Sequence, residues 1–162
     1  MKKITSIIIL FILLIFINSC AGYKPIFGSS NLQFEIADYS IGGNEKLGNQ
    51  IYSKLYNFSN SNNSQEDITS IFITINVVKK KEATAKDSTG KILEYKISLN
   101  TAVRAKNYLT EDEIINNEFA FSSSYKVQDQ YSETIKLENK LIENLINQTY
   151  QELLIKFSEN IL

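Results

Sequence analysis

Few side chains in this sequence are suited to catalysis or to metal binding. The chain has no histidine, the commonest general base and metal ligand, and its one cysteine is Cys20. A single cysteine excludes an internal disulfide and a cysteine zinc site. The sequence also has no glycine-rich phosphate loop and no Gly-x-Ser-x-Gly nucleophile elbow. Its carboxylates are scattered, so we predict a protein that is not an enzyme and that has neither a metal site nor a dissociable cofactor.

The one local concentration of charge is basic. Lys79, Lys80 and Lys81 are consecutive, and Lys86 and Lys91 follow them around a predicted hairpin turn. Because ammonium groups bind phosphate and carboxylate well, these lysines are a candidate site for the headgroup of an anionic glycolipid. The alternative is that they protect the end of an extended strand from edge-to-edge aggregation. The alternative is favoured, since most charge runs belong to a solvated face.

The N-terminus has the features of a secretory signal peptide. Lys2 and Lys3 precede an apolar run over residues 7–17, which is too short for a comfortable transmembrane helix. Residues 17–20, Ile-Asn-Ser-Cys, then resemble the lipobox of bacterial lipoproteins. The resemblance implies cleavage after residue 19 and a diacylglycerol thioether on Cys20, with a further acyl chain on its amino group. The alternative is an inert cysteine in an ordinary signal-anchor.

Removal of residues 1–19 would leave a chain of 143 residues, enough for one domain with one core. Lys2 and Lys3 leave with the signal peptide and no acidic residue does, so 15 basic and 18 acidic residues remain, a net charge of −3. A mildly acidic chain argues against a general nucleic-acid-binding protein, which needs a net basic surface. We therefore expect no nucleic-acid partner.

The hydrophobic pattern of the mature chain predicts a single α+β domain. Residues 20–30 read as a lipidated tether and residues 31–162 as the domain. Period-two alternation predicts strands over 32–37, 68–81, 93–104 and 115–127, and three- to four-residue spacing predicts helices over 44–58 and 132–162. Residues 59–67 read as a polar loop. The order β-α-β-β-β-α predicts a mainly antiparallel four-stranded sheet with two helices packed on one face.

Residues 20–28, Cys-Ala-Gly-Tyr-Lys-Pro-Ile-Phe-Gly, are similar to the start of alphaproteobacterial members of the LptE family of lipopolysaccharide-assembly lipoproteins. Thr89-Gly90-Lys91, Tyr125-Lys126-Val127 and Gln130-Tyr131 before the last helix occur in the order expected for that family. The resemblance implies an α/β sandwich that acts as plug and assembly partner of the LptD β-barrel. It also implies lipid anchoring at the periplasmic face of the outer membrane and a role in moving lipopolysaccharide to the outer leaflet.

Two other functions stay open at this point. A free lipid-anchored periplasmic protein that binds an amphiphile would need a lipid-sized cavity between its sheet and its helices. A hydrolase would need a pair of carboxylates in a cleft, because neither histidine nor a free thiol is available. If the lysines have a binding role, the family resemblance makes lipopolysaccharide the expected ligand.

Overall fold

The computed structural model describes residues 32–61 and 68–161. The predicted signal peptide, the tether with Cys20 and most of the predicted polar loop lie outside these residues. The described elements are β1 (Phe34–Gly43), α1 (Glu45–Ser61), β2 (Thr69–Lys86), β3 (Ile92–Asn107), β4 (Glu113–Lys126) and α2 (Tyr131–Ile161).

The four strands form one sheet in the order β1-β2-β3-β4. β1 is parallel to β2, while β2–β3 and β3–β4 are antiparallel. The predicted fold class and element order are confirmed, and the sheet is mixed because α1 returns the chain between β1 and β2. Both antiparallel pairs extend over most of the lengths of their strands, so they make up the larger part of the sheet.

One face of the sheet builds the core. Alternate residues of β2 on this face have no exposed surface, as the sequence pattern predicts (Ile71, Ile73, Ile75 and Val77). The corresponding residues of β3 are equally buried (Ile97, Leu99, Thr101, Val103 and Ala105). Leu93 is an even number of positions from these residues and so belongs to the same face by alternation, but its side chain is 44% exposed. It lies at the irregularity in the β2–β3 register, between the pairs Ala85–Glu94 and Lys86–Ile92 and next to the hairpin turn.

The helices bury the apolar stripes that their spacing predicts. Leu47, Ile51 and Leu55 of α1 are buried, and Asn44 caps the helix by accepting a hydrogen bond from the Leu47 N–H at 3.2 Å. The α2 stripe includes Phe157, whose ring stacks on Phe34 of β1 with centroids 4.7 Å apart. This stack joins the first strand to the last helix.

The N-terminus of α2 differs from the sequence-based expectation. The helical spacing predicts a start at residue 132, but α2 begins at Tyr131, and the Gln130 carbonyl accepts hydrogen bonds from the N–H groups of Glu133 and Thr134. The Thr134 hydroxyl accepts a hydrogen bond from the Gln128 N–H at 2.9 Å. The side chain of the buried Thr134 therefore fixes the entry of the chain into α2.

Candidate functional site

The predicted lysine site lies on the long hairpin formed by β2 and β3. The hairpin turn is built around Asp87, whose Oδ1 accepts hydrogen bonds from the Thr89 N–H, the Thr89 hydroxyl and the Lys91 N–H. The hydrogen bond from the Thr89 hydroxyl, with those from the two N–H groups, lowers the pKa of Asp87. Gly90 has a φ of +86°, which only glycine adopts readily. The turn is therefore well defined.

The structure does not bring the five lysines together on one surface. Lys79 and Lys81 continue the buried-face alternation of β2 and point toward α2, whereas Lys80 lies on the opposite face. Lys86 pairs with Ile92 next to the turn, and Lys91 lies within the turn region. The binding of a glycolipid headgroup by these lysines stays a prediction. Lys79 and Lys81 form one group, which faces α2, and the other three lysines form a second group.

Lys79 and Lys81 contact the carboxylate of Glu138, which is not among the site residues predicted from the sequence. Lys81 Nζ lies 2.6 Å from Glu138 Oε2, and Lys79 Nζ lies 3.9 Å from Glu138 Oε1. The Tyr125 hydroxyl donates to the same Oε2 at 2.7 Å. Glu138 belongs to α2 and is only 9% exposed, so its charge needs these partners.

Aromatic rings complete what we call the Glu138 cluster, which consists of Lys79, Lys81, Tyr95, Tyr125 and Glu138. Lys81 Nζ lies 4.2 Å from the centroid of the Tyr95 ring and 5.7 Å from that of Tyr125. The two rings lie 5.8 Å apart. A cation held over the face of an aromatic ring gains electrostatic attraction in addition to its ion pair. The cluster thus joins residues from β2, β3, β4 and α2.

The pKa values follow this geometry. Burial alone would raise the pKa of Glu138, but the hydrogen bonds from Lys81 and Tyr125 outweigh it and lower the pKa. Burial alone would lower the pKa of Lys81, but its hydrogen bond to Glu138 raises the pKa above the ordinary value. Burial raises the pKa of Tyr125. Glu138 and Lys81 are therefore both charged at neutral pH, and the cluster acts as a tie between the hairpin and α2.

This arrangement has no evident catalytic chemistry. The Glu138 carboxylate is neutralised by adjacent ammonium groups, so it is a poor general base. Within residues 32–61 and 68–161, no group of three or more His, Cys, Asp or Glu side chains is placed to hold a metal ion.

A signal for Glu138 was present in the sequence. Glu138 lies on the same helical stripe as buried residues, because three- to four-residue steps relate it to Thr134, Leu141 and Leu145. Lys79 and Lys81 likewise follow Val77 at steps of two residues, so they lie on the same face of β2 as the buried Val77. A charge on each of two apolar faces indicates an ion pair between them.

The solved structures that are similar to this domain include three bacterial lipoproteins. Rare lipoprotein B from Shewanella oneidensis is 14% identical with a TM-score of 0.51, covering 75% of this chain and 94% of that chain. Lipoprotein B from Nitrosomonas europaea is 15% identical with a TM-score of 0.55, covering 78% and 85%. A minor lipoprotein from Acinetobacter baumannii is 15% identical with a TM-score of 0.50, covering 80% and 96%.

The described domain has the fold of these bacterial lipoproteins. The likeness concerns the fold, since the identities are low. No family model matches the sequence, and no curated protein matches it either. Neither of the helices described here is apolar enough over a sufficient length to span a membrane.

Proposed function

We propose that this chain is an outer-membrane lipoprotein of the LptE type, held by lipid on Cys20. In this proposal it is the plug and assembly partner of the LptD β-barrel during lipopolysaccharide transport. The observation that carries the proposal is the pairing of a lipobox-like Ile-Asn-Ser-Cys at residues 17–20 with a domain of the lipoprotein fold. Either feature alone is less specific than the two together.

The open face of the sheet supports a role inside a hydrated barrel. The helices cover only one face, and the other carries polar side chains along β3 (Glu94, Lys96, Ser98, Asn100 and Arg104). Asn100 and Arg104 are exposed. A polar surface of this kind suits a water-filled lumen lined by polar residues. We infer that the part of this face from Glu94 to Asn100 turns toward the barrel wall.

The packing of the core favours the plug over the amphiphile carrier. The residues between the sheet and the helices interdigitate, and many of them have no exposed surface, including Ile51, Leu55, Ile73 and Leu153. A carrier would need a lipid-sized space at this place. The depressions at the ends of the sheet and between the helices open to solvent instead.

The anchor is tested by replacing Cys20 with serine. A hydroxyl cannot form the thioether, so Cys20→Ser should leave the precursor uncleaved and without labelled palmitate, while the domain still folds. Wild-type protein from the same cells should carry the label. Label on the serine variant would refute the lipobox interpretation.

The partner is tested by capture of the acylated protein from outer membranes in mild detergent. We expect an LptD-sized barrel to co-purify in comparable amount, identified by mass spectrometry. The matched control is the Cys20→Ser variant, which should not reach the barrel. A pure wild-type preparation without any barrel subunit would defeat the proposal.

The lysines provide a separate test of glycolipid binding. Because Glu138 already occupies Lys79 and Lys81, we propose that Lys80, Lys86 and Lys91 make the contact with lipopolysaccharide. Changing these three to serine should weaken binding in a salt-dependent way. The control changes Lys136 and Lys140 on the exposed side of α2. Equal binding by both variants at low salt would assign the hairpin lysines to solubility alone.

A further inference from the structure

The turn between β3 and β4 exposes apolar surface at one end of the sheet. Leu109 is 83% exposed and Tyr108 is 51% exposed. Exposure of a leucine to this extent leaves nearly its whole side chain in contact with solvent. The pair stands at the outermost point of the turn over residues 107–112, which we call the tip.

The tip has a fixed conformation. Asn107 Oδ1 accepts hydrogen bonds from the N–H groups of Leu109 at 2.9 Å and Thr110 at 3.0 Å. The Tyr108 N–H donates to the carbonyl of Ser70 in β2 at 2.8 Å, which ties the tip to the neighbouring strand. Glu111 takes a φ of 62° and its N–H donates to the Asn107 carbonyl at 3.0 Å. These bonds hold Leu109 outward.

The chain enters the domain at this same end of the sheet. Phe34 at the start of β1 is paired with Thr69, and Ile71 two residues later is paired with Asn107 at the base of the tip. Leu32 follows Cys20 by twelve positions. Because an extended residue spans at most about 3.5 Å, the sulfur lies within about 40 Å of Leu32 by chain length alone.

A pocket of about 380 Å³ adjoins the tip. Its lining includes Phe72, Thr74, Arg104, Lys106, Tyr108 and Glu111. The pocket therefore offers two cationic groups, one carboxylate and aromatic surface. Arg104 Nε lies 3.5 Å from Glu113 Oε2, but both side chains of this pair are exposed, and an exposed ion pair is weak enough to be displaced by a phosphate. Such a set complements a headgroup that carries both a phosphate and an ammonium group. Glu111 and Asp112 belong to the tip and Glu113 follows it, so their charges disfavour contact with a strongly anionic lipid surface.

We propose that the tip is a second membrane contact. Leu109 enters the hydrocarbon of the leaflet and Tyr108 lies at the interface, where its amphipathic ring is favourable. The adjoining pocket takes the headgroup of a zwitterionic phospholipid, with Arg104 and Lys106 on the phosphate and Glu111 on the ammonium group. This inference rests on the proposed lipid anchor, which brings this end of the domain to the membrane.

The test uses the acylated full-length mature protein in vesicles of phosphatidylethanolamine and phosphatidylcholine. An environment-sensitive fluorophore is attached to Leu109→Cys, and the matched control carries it on Leu93→Cys. Leu93 is also an exposed leucine of the β2–β3–β4 unit, about 50 Å along β3 from the tip. We expect acyl-chain brominated lipids to quench the probe at 109 at least threefold more strongly than the probe at 93. Equal quenching at both positions, or no quenching at 109, would overturn the inference.

The headgroup site is tested in the same labelled protein. Arg104→Ser with Lys106→Ser should reduce the quenching at position 109 by at least half. The control, Lys96→Ser with Lys126→Ser, removes two cations from the open face at the other end of the sheet. A reduction equal in both variants would remove the headgroup assignment.

The mass of the labelled protein shows separately whether Cys20 carries lipid. Quenching at 109 in protein without lipid on Cys20 would support the tip and refute the anchor. Acylated protein with an unquenched probe at 109 would refute the tip and leave the anchor intact.

Discussion

Lys81 and Glu138 form an ion pair at 2.6 Å that joins the long hairpin to the C-terminal helix. They are separated by 57 positions in sequence. The Tyr125 hydroxyl donates to the same carboxylate oxygen, so Glu138 serves two strands at once. We conclude that Glu138 links β2 and β4 to α2.

Replacing Glu138 with glutamine should destabilise the domain by about 1–3 kcal/mol, because a mostly buried charged hydrogen bond is lost while its shape is retained. The measurement is urea unfolding at pH 7 and constant salt. Lys80→Gln on the opposite face is the control and should change stability by less than about 0.5 kcal/mol. Equal effects of the two changes would mean that the Glu138 cluster contributes little.

The contribution of Glu138 should also depend on pH. Its folded pKa lies below the ordinary value of 4.5, so its stabilising effect is full above that pH and is lost as the pH falls through the folded pKa. Lys81 has a raised pKa and keeps its contribution throughout the neutral range. The stability difference between wild type and Glu138→Gln should therefore shrink in unfolding series taken from pH 6 to pH 2. A difference that stays constant would contradict this explanation.

Much of this fold follows from local patterns in the sequence. The alternation of Ile71, Ile73, Ile75 and Val77 predicts a strand with one buried face, and Asn44 after two glycines predicts the start of α1. The parallel pairing of β1 with β2 is set by tertiary packing, and no local sequence pattern predicts it. It depends on where α1 packs.

The candidate site was predicted less well than the fold. A run of three lysines suggests one basic surface, but a strand alternates its side chains, so Lys80 leaves the face shared by Lys79 and Lys81. Most residues on the buried stripe of α2 are apolar, so the stripe predicts core packing and gives no direct signal for the charged Glu138 within it. Only the packing of α2 against β2 shows that Glu138 forms an ion pair with Lys81.

Gly43 should be the least replaceable glycine of the described residues. It has a φ of +70°, and an added Cβ would meet the Val77 carbonyl oxygen. Gly90 has a similar φ of +86° but nothing lies near its Cβ position. Gly90→Ala should cost about 1 kcal/mol from backbone strain, and Gly43→Ala about 1–3 kcal/mol more from the added contact. Chemical denaturation of the two variants measures the difference, and equal losses would refute the steric explanation.

Thr101 offers a stabilising substitution. It is 1% exposed, and its hydroxyl has no hydrogen-bond partner in the part of the chain that the structure describes. Thr101→Val removes this unpaired group at nearly constant shape, so we expect a gain of about 1 kcal/mol. The matched control is Thr149, equally buried, whose hydroxyl donates to the Leu145 carbonyl at 2.9 Å. Thr149→Val should lose about 0.5–1 kcal/mol in the same thermal-unfolding assay. A loss at Thr101 would show that its hydroxyl has a partner.

The most direct test of the proposed plug is photo-crosslinking in intact cells. A photoreactive residue is placed at Asn100, at the centre of the open face of the sheet, or at Lys140, on the exposed side of α2. We expect the photoreactive residue at Asn100 to yield a crosslinked product that contains the LptD barrel, provided that Cys20 is present. Acylated protein that crosslinks to no barrel from either position would contradict this expectation.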